Sequence, residues 1–166
     1  NIINSGTITG GNGGNGGSGS TTTTSKVSKG GNGGIGGDAI VGGSLTIVNS
    51  GTIVAGSGGD AGAGNDGTHG TSGASGAAVR FTSGENKLTL KDGSIITGDI
   101  ILSPTDTDTT NTLLITSDDA TTVTGNLTAS AYTGVALSGK TLTLSGKASF
   151  AENTSLTFGN PTGDAV

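Results

Sequence analysis

His69 is the only histidine of the chain, and it stands in "GNDGTHGTSG" among glycines that leave its rotamer unfixed. A serine nucleophile needs a base held against it and a third group to orient that base. No Gly-x-Ser-x-Gly lies at a strand-to-helix turn, so His69 reads as a solvated loop residue. Paired carboxylates would suit glycoside cleavage. The candidates are Asp106 with Asp108 in "SPTDTDTTN" and Asp118 with Asp119 in "TSDDATT". Neighbouring residues of a strand point to opposite faces, which separates Asp118 from Asp119. Pro104 introduces the first cluster, and both read as Asp/Thr/Asn turns between strands. No catalytic residue and no enzyme activity are expected.

Ligand-binding patterns are equally thin. "GAGND" at 62–66 resembles one unit of the calcium-binding Gly-Gly-x-Gly-x-Asp repeat, which makes Asp60 and Asp66 weak calcium candidates. That site needs tandem nine-residue units so that successive turns supply ligands, and no second unit follows. "GGIGGD" at 33–38 lacks the strand–helix context and the lysine of a phosphate loop. No cofactor is expected. Thr-x-Thr pairs at Thr7/Thr9 and Thr141/Thr143 are the raw material of a flat threonine ladder that binds ice. Such a face needs the pair on every coil in register, whereas the positions aligned with it here are Thr52/Val54 and Ser94/Ile96. The ladder therefore reads as broken, and the face as an ordinary solvated one.

The elements that would hold these residues follow from composition and period. The chain has 166 residues, 35 of them glycine, with 2% aromatic and 11% charged residues. Glycine at this level is far above the roughly 7% of ordinary globular proteins. With Phe81, Phe150, Phe158 and Tyr132 as the only rings, a bulky three-dimensional core is out of reach. Cysteine is absent, so backbone pairing and not disulfides must supply rigidity. The formal charge of −5 and the single arginine, Arg80, offer no basic stripe for nucleic acid. No apolar run approaches the ~20 residues of a spanning helix. A chain without methionine and without an opening signal peptide is expected to be a piece of a longer one.

The apolar residues are clustered in short alternating runs. Leu45 and Ile47 share a face, as do Leu88 and Leu90, and Leu142 and Leu144. Period two with one apolar face means half-buried strand, and no segment shows the helical period. "NIINSGTITGG" at 1–11 is echoed by "LTIVNSGTIVAG" at 45–56, by "LTLKDGSIITG" at 88–98 and more faintly by "LTLSGKASFAENTSLTFG" at 142–159. Each unit reads as strand, tight turn, strand, with Gly6, Gly51 and Gly93 expected at the positive-φ position of the turn. Short strands, small residues and few aromatics favour a right-handed parallel β-helix over hairpins. The fold expectation is thus all-β: a single parallel β-helix (solenoid) over 1–166, with glycine-rich insertions at about 10–38 and 57–76.

Those insertions have a phase. Glycine recurs every third residue in 10–19 and in 30–37, and again at Gly64, Gly67, Gly70, Gly73 and Gly76. Two readings stand. Such tracts arise by replication slippage and are then disordered loops. Alternatively they form polyglycine-II-like arms, in which a three-residue turn lets backbones approach and bond. In the second reading 10–20 runs out, 29–38 runs back, and "STTTTSKVSK" forms the tip.

"NSGTITGG", "NSGTIVAG" and above all "GAAVRFTSGENKLTLKDGSIITGDI" at 76–100 resemble passenger domains of Gram-negative type V autotransporters. The likeness is close over about 1–100 and looser over 101–159. It implies a β-helix at the bacterial cell surface, attached through an outer-membrane barrel outside this sequence. It further implies adhesion or self-association of the aggregation and biofilm kind, through polar strand faces and loops. The expected partner is a host-surface or matrix molecule, or another copy of the chain, with no nucleic acid and no membrane contact by this segment. The alternative is a passive stalk that spaces a distal module from the membrane.

Overall fold

The computed structural model describes residues 1–20, 27–65, 67–102, 111–115, 121–129, 133–137, 142–152 and 155–158. Among them are sixteen short strands and no helix. In chain order they are β1 (Ile2–Asn4), β2 (Thr7–Thr9), β3 (Ile40–Gly42), β4 (Thr46–Asn49), β5 (Thr52–Val54), β6 (Ala77–Phe81), β7 (Asn86–Leu90) and β8 (Ile95–Thr97). They continue with β9 (Asp99–Leu102), β10 (Asn111–Ile115), β11 (Thr121–Thr124), β12 (Leu127–Ala129), β13 (Thr133–Leu137), β14 (Leu142–Leu144), β15 (Ala148–Phe150) and β16 (Ser155–Phe158). Every third strand joins the same sheet. The orders are β1-β4-β7-β10-β13-β16, β2-β5-β8-β11-β14 and β3-β6-β9-β12-β15, and every strand pairing is parallel.

The period-two pattern explains why each strand lies as it does. Ile2, Ile47, Leu88 and Leu113 stack in the first sheet. Ile8, Ile53, Ile96, Val123 and Leu144 stack in the second. Ile40, Val79, Ile100 and Leu127 stack in the third. These rows meet in one apolar cluster, with Phe81 as its largest fully buried side chain. Fully burying an Ile or Leu side chain stabilises by about 1.5–3 kcal/mol, so a thin aliphatic core built by stacking replaces the missing aromatics.

Two details differ from the sequence expectation. Each unit contributes three strands, not two, because the segment after the second strand forms the third sheet. The faint echo at 142–159 is also out of phase: Leu142–Leu144 lies in the second sheet, whereas Leu88 and Leu90 belong to the first. The same Leu-Thr-Leu alternation serves either sheet, so residue type alone does not fix which.

Of the expected turn glycines, Gly93 has φ 79° and occupies the left-handed region. Gly6 and Gly51 do not have positive φ. At Gly51 a Cβ would overlap the Gly6 carbonyl oxygen, so glycine there serves close stacking of turns. Gly6 meets nothing, and its turn is held by the Gly6 N–H donating to Asn4 Oδ1 at 3.2 Å.

Candidate interaction surface

Both glycine-rich insertions leave the sheets at the same corner. The first joins β2 to β3 and the second joins β5 to β6. The equivalent corner between β8 and β9 is the single residue Gly98, at φ 117°. The second insertion makes a hairpin of its own. It goes out over 56–64, turns through Gly67 at φ 81°, and returns over 68–76. With 10–19 and 30–37 this makes four arms.

The arms are bonded at every third residue. Gly10, Gly13, Gly16 and Gly19 donate to the carbonyls of Val54, Ser57, Asp60 and Ala63, so the first and third arms are parallel. Gly31, Gly34 and Gly37 donate to Gly17, Gly14 and Gly11, which makes the second arm antiparallel to the first. Gly56, Gly59 and Gly62 donate to Gly37, Gly34 and Gly31, and Gly70, Gly73 and Gly76 donate to Gly62, Gly59 and Gly56. Finally Gly30, Gly33 and Gly36 of the second arm donate to Thr68, Thr71 and Ala74 of the fourth. The second and third arms therefore touch all the others, and the first and fourth touch two each. The antiparallel pair 10–19 and 30–37 has the course of the second reading of the glycine phase, and residues 21–26 of its tip lie outside the described residues.

Glycine spacing follows from that packing. A Cβ at Gly13 would overlap the Gly34 carbonyl oxygen, and one at Gly59 would overlap that of Gly14. The fourth arm, "THGTSGASG", keeps one glycine per turn because only one face meets its neighbours. Asparagine has an equally definite task. The Asn12, Asn15 and Asn32 Oδ1 atoms accept from the backbone N–H groups of Ser57, Asp60 and Thr71, each at 3.0 Å. Asp38 does the same for Ala77 at 2.6 Å where the arms rejoin the sheets, and Asp99 for Asn126 at 2.8 Å. The Asn of Gly-Gly-Asn is thus a backbone acceptor reaching to the parallel arm.

Asp38 also receives the Arg80 guanidinium, Nε to Oδ2 at 2.6 Å and Nη2 to Oδ1 at 3.2 Å. This bond from Arg80 holds the Asp38 carboxyl below its ordinary value, helped by the Ala77 N–H and against a smaller opposing effect of burial. On the first sheet, Asn4 Nδ2 donates to Asn49 Oδ1 at 2.7 Å, and Asn86 Nδ2 to Asn111 Oδ1 at 2.9 Å. These buried amides fix turns by further bonds to Thr52, Gly51, Ser83 and Gly84 carbonyls.

The residues singled out for chemistry are scattered. Asp60 is exposed on the third arm, its backbone engaged by Asn15 and Gly16. His69 is exposed on the fourth. Asp66, Asp106, Asp108, Asp118, Asp119 and Thr141 lie outside the described residues. Among the described residues no group of three His, Cys, Asp or Glu side chains converges. A shallow depression of about 290 Å³, lined by Thr46, Glu85, Asn86, Lys87 and Thr112, has Glu85 as its one carboxylate.

The threonine pairs are arranged otherwise than the sequence alignment implied. Thr52 and Val54 face Ile95 and Thr97, not Ser94 and Ile96. Thr122 and Thr124 continue the rows, and Thr143 follows Thr122. Residues 121–124 carry none of the Asn-Ser-Gly landmarks that located the other units, and sequence reading passed over them.

No protein-family model matches the chain, and neither the curated proteins nor the solved structures include a significant match. No helix among the described residues is long and apolar enough to cross a membrane.

Proposed function

We propose that this chain is a segment of a bacterial cell-surface passenger. In this reading its three sheets are the faces of a right-handed parallel β-helix, and its four arms form a polyglycine-II bundle that projects from one corner as a rigid knob. Its work is adhesion or self-association through exposed backbone and polar faces. The observation that supports this best is the outer side of the first arm. Gly11, Gly14 and Gly17 are exposed and a Cβ on any of them would meet nothing, so these glycines are not needed for packing within one chain. A glycine-only edge suits close approach by another backbone, such as a host or matrix chain or a second copy. Ile35, 75% exposed on the second arm, adds an apolar point to the bundle surface.

Display of residues 1–166 on cells that do not otherwise clump tests the reading. Settling or attachment to host cells, lost on Gly14→Lys, is the expected outcome. Inert cells displaying a folded chain would instead assign it the stalk role.

A further inference from the structure

The second sheet presents two outward rows of one residue type. In register, the first row runs Thr7, Thr52, Ile95, Thr122, Thr143, and the second runs Thr9, Val54, Thr97, Thr124. Seven of these nine positions are threonine, and the other two, Ile95 and Val54, are also β-branched. Each outward pair flanks a core residue, Ile8, Ile53, Ile96 or Val123, so the face is anchored from beneath. Thr7, Thr9, Thr97, Thr122, Thr124 and Thr143 are exposed, as is Ile95. None of the seven hydroxyls bonds a described partner, and the rows contain no charged or aromatic side chain.

We infer that this face binds ice. Neighbouring strands repeat at ~4.7–4.9 Å, and outward residues two apart along a strand repeat at ~6.6 Å. These two repeats lie near those of water oxygens on planes of hexagonal ice. β-Branching restricts χ1, so every threonine presents its methyl and hydroxyl in much the same way. The methyls order water above the sheet and the hydroxyls bond it into place. Isoleucine and valine keep the shape and the methyl at their positions and forfeit one hydroxyl each. A protein partner is the poorer occupant, because protein interfaces concentrate aromatic residues, methionine and arginine, and this face has none. The inference stands apart from the adhesion reading, which rests on the arms.

Thermal hysteresis and partition into slowly growing ice, measured on the full chain, test it. The wild type is expected to shape ice crystals and to concentrate in the ice. Thr97→Lys and Thr122→Lys, each checked for native circular dichroism, are expected to reduce hysteresis at least tenfold. Lys87→Ala on the first sheet is expected to leave it unchanged, and the double variant Val54→Thr/Ile95→Thr to equal or exceed the wild type. Folded wild-type chain that neither shapes ice nor enters it overturns the inference. So does ice activity untouched by both lysine variants, and so does a face found to be covered in a dimer or bound to a crystalline polysaccharide with no effect on ice.

Discussion

Gly13 and Gly14 are adjacent, identical in type and opposite in consequence. A Cβ at Gly13 runs into the Gly34 backbone, whereas Gly14 faces open space. Gly13→Ala is expected to loosen the bundle by about 1–3 kcal/mol, in the range of overpacked substitutions, and Gly14→Ala to leave it intact. Amide exchange read at Gly34 and Gly37 separates the two: fast in the first variant, protected in the second. Asn49→Ala leaves the buried Asn4 amide without its closest partner and deletes the bond to the Gly51 carbonyl. Its expected cost is about 1–3 kcal/mol, seen as a lower urea midpoint. Asp38 provides a pH signature. Its folded-state pKa lies below the ordinary carboxylate value of about 3.9, so the unfolded chain takes up the proton first as pH falls. The stabilisation is complete above about pH 4 and is lost as pH drops through the lower folded value. Urea midpoints should therefore show Asp38→Asn weaker than wild type at pH 7, with the gap narrowing as pH falls below the ordinary carboxylate value.

At the scale of elements, the corner between the second and third sheets tolerates two very different connections. Gly98 crosses it in one residue, while 10–39 and 55–76 leave it and come back. The sheets pair through rows that exclude the arms. Replacing both insertions by a single glycine each is therefore expected to retain the strand signal and a cooperative unfolding transition. Complete loss of strand circular dichroism in that shortened chain would show that the arms are part of the folding unit. The arms depend on one another in the opposite way. Ordering glycine costs about 1–2 kcal/mol per residue in backbone entropy, and a lone arm has no internal bonds to offset it. Removing only 56–76 takes away the acceptors of Gly13, Gly16 and Gly19, so the remaining pair should lose exchange protection.

For the molecule as a whole, the two proposals rest on separate surfaces. The arms bring out backbone edges, and the second sheet brings out a regular side-chain lattice. Cell settling tests the first and ice growth tests the second, and a Gly14→Lys variant that keeps ice activity while losing settling would show them to be independent. Neither surface requires a pocket or a metal. Both use repetition, in which a one-residue contact is copied along a stack.

Much of this was legible in the residues. Alternation at Leu45/Ile47 and Leu88/Leu90 declared strands because period two is a property of the extended chain itself. The three-residue phase of glycine and asparagine likewise declared arms, although not whether they were ordered. Register was a different matter. Whether Thr52 faces Ser94 or Ile95, or whether 142–144 joins the first or second sheet, turns on a one-residue shift. Such a shift is settled by the core rows, where Ile53 must meet Ile96, and by turns such as Gly93. Gly6 and Gly51 show the same limit, since a glycine needed for φ and one needed for close approach read identically. The periods are properties of the residue order alone, and from them come strands and arms. Which repeat faces which was settled only in the fold, because stacking contacts between residues 21 to 45 positions apart set the register and with it every exposed row.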